Sequence, residues 1–321
     1  MNERAATVVG AGVVSPAGST VDDLWSIVLE AKGTRAEAVH YPELGDELPV
    51  LTCLAEGFEP EQRLERHEIR RLDRSHQMAF WAADDALGAA STSPPPERCA
   101  VVVGIGFGAA GFQEAQQRAF SERGYRALSP LSIPVVMPNS IAAHLSMRYG
   151  YRGPSITVAA ACASGAMALG EAMWLLRSGR ADRVVAGGVD ALATLGVSAS
   201  FARMEAMSTR FDEPERSSRP FDLDRDGFVL AEGAAFFVLE RNLDAGPGLG
   251  QILGYATNSD AHHIVAPPER GEGAAACMRS ALTDAGIDVD DVGHVNAHGT
   301  STQRNDLAEA RAIHDVFGPR A

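Results

Sequence analysis

Two short stretches hold residue types that can do covalent chemistry. In the first, Ile156–Ala160 reads as a strand that runs into Cys162, with Ala159, Ala160, Ala161 and Ala163 around it. A helical pattern then opens at Ser164-Gly165, with Ala166, Leu169, Met173 and Leu176 spaced three and four apart, so one face is buried. A cysteine on such a strand-to-helix turn sits at the positive end of the helix. There its thiolate is favoured, which is how a nucleophilic cysteine is made. A lone cysteine also serves as a small buried hydrophobe, and the residues alone leave both readings open.

The second stretch is His298-Gly299-Thr300-Ser301-Thr302, after Val292–Asn296, which reads as a short strand. A histidine at the C-terminal end of a strand faces the crevice where α/β sheets bind their ligands. It can equally be satisfied by loop carbonyls. His294, inside the run, is read that way. Cys162 and His298 form a reactive pair only if the fold brings them together.

Three other motifs carry less. Gly10-Ala11-Gly12 and Gly104-Ile105-Gly106-Phe107-Gly108 resemble dinucleotide loops. The first lacks its third glycine, and the second has no acidic residue at the end of a following strand. Asp222-Leu223-Asp224-Arg225-Asp226-Gly227 opens like a calcium loop but reaches Gly233 where a bidentate glutamate belongs, so no metal is expected.

The elements that must position these residues alternate. Strands are expected at Ala6–Val9, Val101–Val103, Ile156–Ala160, Val184–Ala186, Phe236–Leu239, Ile252–Tyr255 and Val292–Asn296. Helices are expected over Val21–Ala31, Ser164–Ser178 and Ala274–Ala285. This rhythm means an α/β fold around a buried sheet. Leu44–Asp73 is polar and reads as an excursion from the core, and the proline run in Ser91–Arg98 marks a surface loop.

The 321 residues fit two domains or one large α/β unit. With 28 Lys+Arg against 42 Asp+Glu the net charge is −14, which disfavours nucleic acid and anionic membranes as partners. Four cysteines without C-x-x-C pairing form neither a metal site nor a disulfide scaffold, and a reducing cytoplasm is expected. No run of 18 apolar residues suggests a membrane span.

Taken together, these motifs resemble the elongating β-ketoacyl-acyl carrier protein synthases of the thiolase superfamily. The resemblance runs through Val8–Pro16, Met137-Pro138-Asn139, Gly153-Pro154-Ser155, Ala159–Gly165, Ala186-Gly187-Gly188, Ser218–Asp222 with Asp226-Gly227-Phe228, and Asn296–Thr302. It implies a layered αβαβα sandwich of two similar halves, 1–249 and an incomplete 250–321, working as a homodimer or a ketosynthase-like heterodimer. By resemblance Cys162 takes the acyl chain from the phosphopantetheine arm of an acyl carrier protein. His298 assists malonyl decarboxylation and stabilises the enolate. Thr300 and Thr302 bind the pantetheine arm, Glu309 supports the site, and Phe201 stands at the pocket mouth. Phe107 falls where relatives that accept long chains carry a smaller residue in the acyl pocket. His67, Arg70 and Arg71 match a basic carrier-docking cluster, although the interleaved Glu65 and Glu68 also fit a solvated helix face.

No cofactor is implied. The family pattern continues past Ala321 with a lysine, a second histidine and a Gly-Phe-Gly loop, so the resemblance also implies a source for that segment, in a longer chain or a partner chain. Two other readings stand beside the condensing enzyme, whether of fatty acid or polyketide synthesis. One is a non-catalytic, chain-length-determining subunit of a ketosynthase heterodimer, against which Cys162 argues. The other is a dinucleotide-dependent dehydrogenase, against which the broken glycine fingerprints argue.

Overall fold

The computed structural model describes residues 5–34, 36–41, 49–90, 94–241 and 248–319. In chain order the strands are β1 (Ala6–Val14), β2 (Glu37–Val39), β3 (Val50–Cys53), β4 (Cys99–Gly104), β5 (Ser155–Val158), β6 (Arg183–Ala191), β7 (Leu230–Arg241) and β8 (Gly250–Ile252). The helices are α1 (Val21–Leu29), α2 (Arg66–Arg71), α3 (Arg74–Gly88), α4 (Ala110–Arg123), α5 (Ser132–Val136), α6 (Ser140–Tyr149), α7 (Ser164–Arg177), α8 (Leu195–Arg203), α9 (Glu272–Ala285) and α10 (Gln303–Phe317). They form two compact units. The first comprises residues 1–34, 53–198 and 231–252, the second residues 35–52, 199–230 and 253–321.

The first unit is built on a mixed sheet in the order β5-β4-β6-β7-β1-β8. β4 runs parallel to β5 and β6, β7 is antiparallel to β6 and β1, and β8 is antiparallel to β1. Strand pleating assigns the two faces. Val101 and Val103 of β4 and Val185 and Val189 of β6 join the cluster formed by α3 and α6, with Met78, Ala82, Ile141 and Leu145. The alternate residues point the other way: Gly104 lies against Ser164, and Gly188 against Gly165, at the start of α7. Helices α3 and α7 therefore cover opposite faces of one sheet. Each large side chain buried in such a layer contributes about 1.5–3 kcal/mol.

Glycines set how closely the helices approach. A Cβ at Gly10 would stand 2.0 Å from the Ala86 carbonyl oxygen, and one at Gly12 2.0 Å from that of Ala82. The Gly10-Ala11-Gly12 motif is thus a seat for α3. Across the sheet, Arg183 and Glu240 face each other in register on β6 and β7, almost fully buried, with a 2.6 Å ion pair. Removing either partner alone would cost about 3–5 kcal/mol.

In the second unit α9 and α10 pack through small residues. Gly271, the N-cap of α9, leaves so little room that a Cβ would meet the Ala308 carbonyl oxygen at 2.3 Å, and Ala275, Ala308 and Ala312 are buried.

Three expectations from the sequence need correction. The strand expected at Ile252–Tyr255 is instead β8, Gly250–Ile252, and the chain leaves the sheet after Ile252, with the Tyr255 N–H donating to the Asp284 carboxylate of α9 at 2.9 Å. Val292–Asn296 forms no strand, only extended coil. Valine favours strands, but a strand exists only where a neighbour completes its hydrogen bonds, and residues 292–300 belong to no sheet. The Leu44–Asp73 excursion is described only from residue 49, and it contains β3, whose four residues are all buried. The loop at Ser91–Arg98 is described from Pro94 and ends in a short 3₁₀ turn at Pro96–Arg98.

Candidate active site

Chain geometry around Cys162 follows from its neighbours' size. β5 ends at Val158, and α7 begins at Ser164 after five intervening residues. The turn between them is tight, and Ala161 adopts φ +49°, the left-handed region that L-residues seldom occupy. Strain of this kind persists where the surroundings enforce it and concentrates at functional sites. Cys162 follows directly. It is exposed and not disulfide-bonded, two residues ahead of a 14-residue helix whose amide end favours a thiolate. The other thiols differ. Burial pushes the Cys53, Cys99 and Cys277 thiols up from their ordinary value, and Cys53 and Cys99 are buried outright.

The Gly106–Gly108 loop, which follows β4 in the same unit, cradles an anion, though not a phosphate. The backbone N–H groups of Gly106, Phe107 and Gly108 all donate to the Asp190 carboxylate, at 2.6, 3.0 and 3.1 Å. Burial pushes the Asp190 carboxyl up, opposed by these three donors. Phe107 is itself exposed, with 60 % of its surface accessible, on a loop whose backbone is clamped. Sequence reading missed Asp190; an aspartate at the end of an apolar strand gives no sign of which loop it will hold.

In the second unit the histidine loop is pinned by two carboxylates of α10. Glu309 accepts the His298 N–H at 2.6 Å and the Gly299 N–H at 2.9 Å. Asp306, fully buried, accepts the Ser301 N–H at 3.1 Å and the Phe221 N–H at 2.8 Å, and pairs with Arg225 at 3.4 Å. Ser301 is buried at φ +65° and accepts the Arg219 N–H at 3.0 Å. Thr300 and Thr302 bring their hydroxyls to 2.9 Å of each other, and Thr302 caps α10. The structure thus joins His298, Thr300, Thr302 and Glu309 in one loop-and-helix assembly. Asp306 and Arg225 are the members sequence reading missed. The signal available was an acid in the first turn after a threonine cap. It also explains the calcium-like Asp222–Gly227 loop: Arg225 of that loop is tied to the carbonyl oxygens of Thr302 and Gln303.

Phe201, on α8, packs edge-on against Phe228 with ring centroids 5.3 Å apart. His67, Arg70 and Arg71 are exposed on α2. Glu68 between them is engaged elsewhere: it accepts the Glu65 N–H at 2.9 Å and pairs with Arg148 at 2.8 Å. A cavity of about 460 Å³ opens beside this helix, with His67, Arg71, Leu72, Phe80, His144 and Arg148 in its wall. Among the described residues no cluster of His, Cys, Asp or Glu is arranged to hold a metal ion, and no helix is long and apolar enough to cross a membrane.

Comparison with known proteins matches this architecture. A family model described as Beta-ketoacyl synthase, N-terminal domain, matches residues 3–245, and one described as Beta-ketoacyl synthase, C-terminal domain, matches residues 249–321. The 3-oxoacyl-(acyl-carrier-protein) synthase 2 of Vibrio cholerae is 36 % identical over 99 % of this chain and 78 % of its own. That of Synechocystis is 34 % identical over 100 % of this chain and 79 % of its own. Among solved structures, a beta-ketoacyl synthase from Burkholderia phymatum superposes with a TM-score of 0.87 at 30 % identity, covering 98 % of this chain and 78 % of that one. A type II polyketide ketosynthase in complex with its acyl-carrier protein, bound to the hexaketide, gives 0.88 at 28 % identity, with the same coverage. A thiolase-like α/β fold with an exposed cysteine at a strained strand-to-helix turn, matched over residues 3–245 and 249–321 by the two family models in succession, places this chain in the β-ketoacyl synthase family.

Proposed function

We propose that the chain is the condensing acyltransferase of a fatty acid or polyketide pathway, with Cys162 as its nucleophile. The observation that carries this reading is the exposed Cys162 after the left-handed Ala161 and ahead of α7. The Cys162 thiolate attacks the carbonyl of an acyl thioester on the phosphopantetheine arm of a carrier protein. A new thioester forms on Sγ, and the pantetheine thiol leaves with a proton. In the second half-reaction a malonyl thioester loses CO₂, and the electron pair of the broken bond becomes an enolate. His298 donates to the enolate oxygen, where charge develops. The enolate carbon then attacks the Cys162 thioester and expels the thiolate, leaving a 3-oxoacyl thioester on the carrier. Thr300 and Thr302 line the pantetheine arm, Phe201 and Phe107 border the acyl group, and Glu309 holds the His298 backbone.

The acidic carrier docks on α2. His67, Arg70 and Arg71 supply the positive charge, and Glu68 does not cancel it because Arg148 already engages its carboxylate. Reversing charge at Arg70 and Arg71 slows acyl transfer from the carrier but spares a small pantetheine thioester, since it weakens steering rather than chemistry. No cofactor is required, the working form is a homodimer or a ketosynthase-type heterodimer, and the setting is cytoplasmic.

The test is direct. The protein is incubated with an acyl carrier protein bearing a radiolabelled acyl group, and the modified peptide is identified. A thioester on Cys162, discharged by malonyl carrier with release of CO₂, supports the proposal. A folded protein that never acylates Cys162 overturns it in favour of a non-catalytic, chain-length-determining subunit.

A further inference from the structure

One hydroxyl holds the turn that presents Cys162. Ser164 is the first residue of α7 and is buried, with 3 % of its surface accessible. Its Oγ accepts the Ala160 N–H at 2.8 Å and lies 2.7 Å from the Ala161 carbonyl oxygen and 2.8 Å from that of Ile105. A serine hydroxyl has one proton to donate, so these two carbonyls share it. The same atom therefore ties together three segments: the pair of residues before the nucleophile, the start of α7, and the end of β4 where it enters the Asp190-clamped loop bearing Phe107. The Ser164 N–H adds a second bond to the Ala161 carbonyl, at 3.1 Å. Ala161 is thus gripped through its own carbonyl and through the amide of its predecessor, while its φ of +49° is one that alanine keeps only under constraint.

Close packing also holds the backbone that carries this hydroxyl. A Cβ at Gly104 would stand 2.3 Å from the Ser164 carbonyl oxygen, and a Cβ at Gly188 would lie 3.0 Å from the Gly165 Cα. The helix start is seated on backbone, and the Ser164 side chain points into the space between α7 and the end of β4.

We propose that Ser164 is a positioning residue. Its hydroxyl keeps Ala161 left-handed, aims the Cys162 thiol at the amino end of α7, and fixes it relative to the Phe107 loop. The inference rests on Cys162 being the nucleophile. Loss of the hydroxyl acts on thiol activation and on acyl transfer, not on binding of the acyl donor.

The experiment compares wild type, Ser164→Ala, Ser164→Thr and the double substitution Ser164→Ala, Ala161→Gly. The rate of Cys162 carboxamidomethylation is followed against pH, and kcat and KM for acylation are measured with a pantetheine thioester. Ser164→Ala is expected to slow alkylation at neutral pH by about tenfold and to raise the midpoint of its pH profile by about one unit, as the thiol leaves the helix end. KM changes less than about twofold while kcat falls, the signature of an interaction used in the transition state. Ser164→Thr restores the hydroxyl and the rate. Glycine takes a positive φ without steric cost, so Ala161→Gly recovers part of the loss in the Ser164→Ala background. Should Ser164→Ala not fold, Ser164→Cys keeps the volume with only a weak hydrogen-bonding group and carries the same expectation, with residues 162 and 164 resolved by fragmentation of their shared peptide. A folded Ser164→Ala whose alkylation profile and kcat match wild type overturns the inference, as does a rise in KM alone. A wild-type protein in which Cys162 is neither preferentially alkylated nor acylated overturns the assignment of the nucleophile, and this inference with it.

Discussion

Glu309 grips the chain at His298 by its backbone: one carboxylate oxygen accepts the His298 N–H at 2.6 Å and the other accepts the Gly299 N–H at 2.9 Å. The site histidine is thereby anchored to a 15-residue helix rather than left to a loop that has no strand of its own. A displacement of about 1 Å in a catalytic group can cost up to a hundredfold in rate.

From this follows the first prediction. Glu309→Ala removes both acceptors, lets the His298 loop shift, and slows decarboxylation of a malonyl thioester by about 10–100-fold. Losing two hydrogen bonds to amides that water can reach also lowers stability, by about 0.5–1.5 kcal/mol. Acylation of Cys162, in the other unit, persists. CO₂ release and peptide mass, measured on the same preparation, check the pair of outcomes. Equal loss of both half-reactions would show that Glu309 supports the fold as a whole and not the histidine.

Thiol chemistry gives a second prediction. Burial pushes the Cys53, Cys99 and Cys277 thiols up, so their thiolate fraction at neutral pH drops, while Cys162 is exposed at a helix start. Only the thiolate is nucleophilic, and each unit of pKa changes its fraction about tenfold. Limited treatment of the folded protein with iodoacetamide at pH near 7 therefore modifies Cys162 first, by at least about tenfold over the others. Raising the pH narrows the gap, because the other thiols ionise later. Uniform labelling of all four would remove the case for an activated cysteine.

The sequence carried the layered fold because the strands that matter are continuous apolar runs, and a run such as Cys99–Gly104 buries all six of its residues. Val292–Asn296 misled because two valines ahead of the His298 loop suggest a strand, yet strand formation depends on a neighbour that local pattern does not encode. Cys162, His298, Thr300 and Thr302 stood out because small and hydroxyl residues crowd around them in unusual density. Asp190, Asp306 and Ser164 did not. Each acts through bonds to backbone groups distant in sequence: Asp190 to residues 106–108, Asp306 to Phe221, Ser164 to Ile105. No spacing rule connects a side chain to a backbone group more than fifty positions away. The glycine motifs show the same limit. Gly104–Gly108 has the look of a phosphate loop, and its amides do bind an anion, but the anion is a side chain of the same protein.

A third prediction concerns that loop. Three amides on Asp190 fix the backbone at Phe107, so the ring cannot retreat by a shift of the main chain. If Phe107 borders the acyl group, forcing further methylenes past it costs about 1–3 kcal/mol, or roughly tenfold and more in rate. Phe107→Ala should then raise acylation by a long-chain acyl carrier protein about tenfold relative to a short-chain one. Competition between the two carriers, read from the mass of the Cys162 peptide, measures the ratio. A wild type that takes both chains equally well would free Phe107 of any part in selection.

The last prediction concerns acid stability. His76 is completely buried, its Nε2 is 2.8 Å from Ser140 Oγ, and its Nδ1 has no hydrogen-bond partner among the described residues. The His144 ring stands edge-on to it at 5.2 Å. Protonating His76 would place a charged N–H in a site with nothing to accept it. Burial, with a smaller push from His144, accordingly lowers its pKa from the ordinary 6.5 to about 3. The sign follows from proton counting. Between those two values the unfolded chain binds a proton that the folded chain refuses, so stability is complete above about 6.5 and is lost as the pH falls towards 3. The slope from this one group approaches but does not exceed about 1.4 kcal/mol per pH unit. His76→Gln removes the titration while keeping a polar side chain for Ser140. Urea unfolding at a series of pH values between about 7.5 and 4.5 should show a shallower loss in the variant than in wild type, even if the variant is less stable at neutral pH. Parallel curves would mean that carboxylates alone set the acid limit and that His76 already titrates normally in the folded protein.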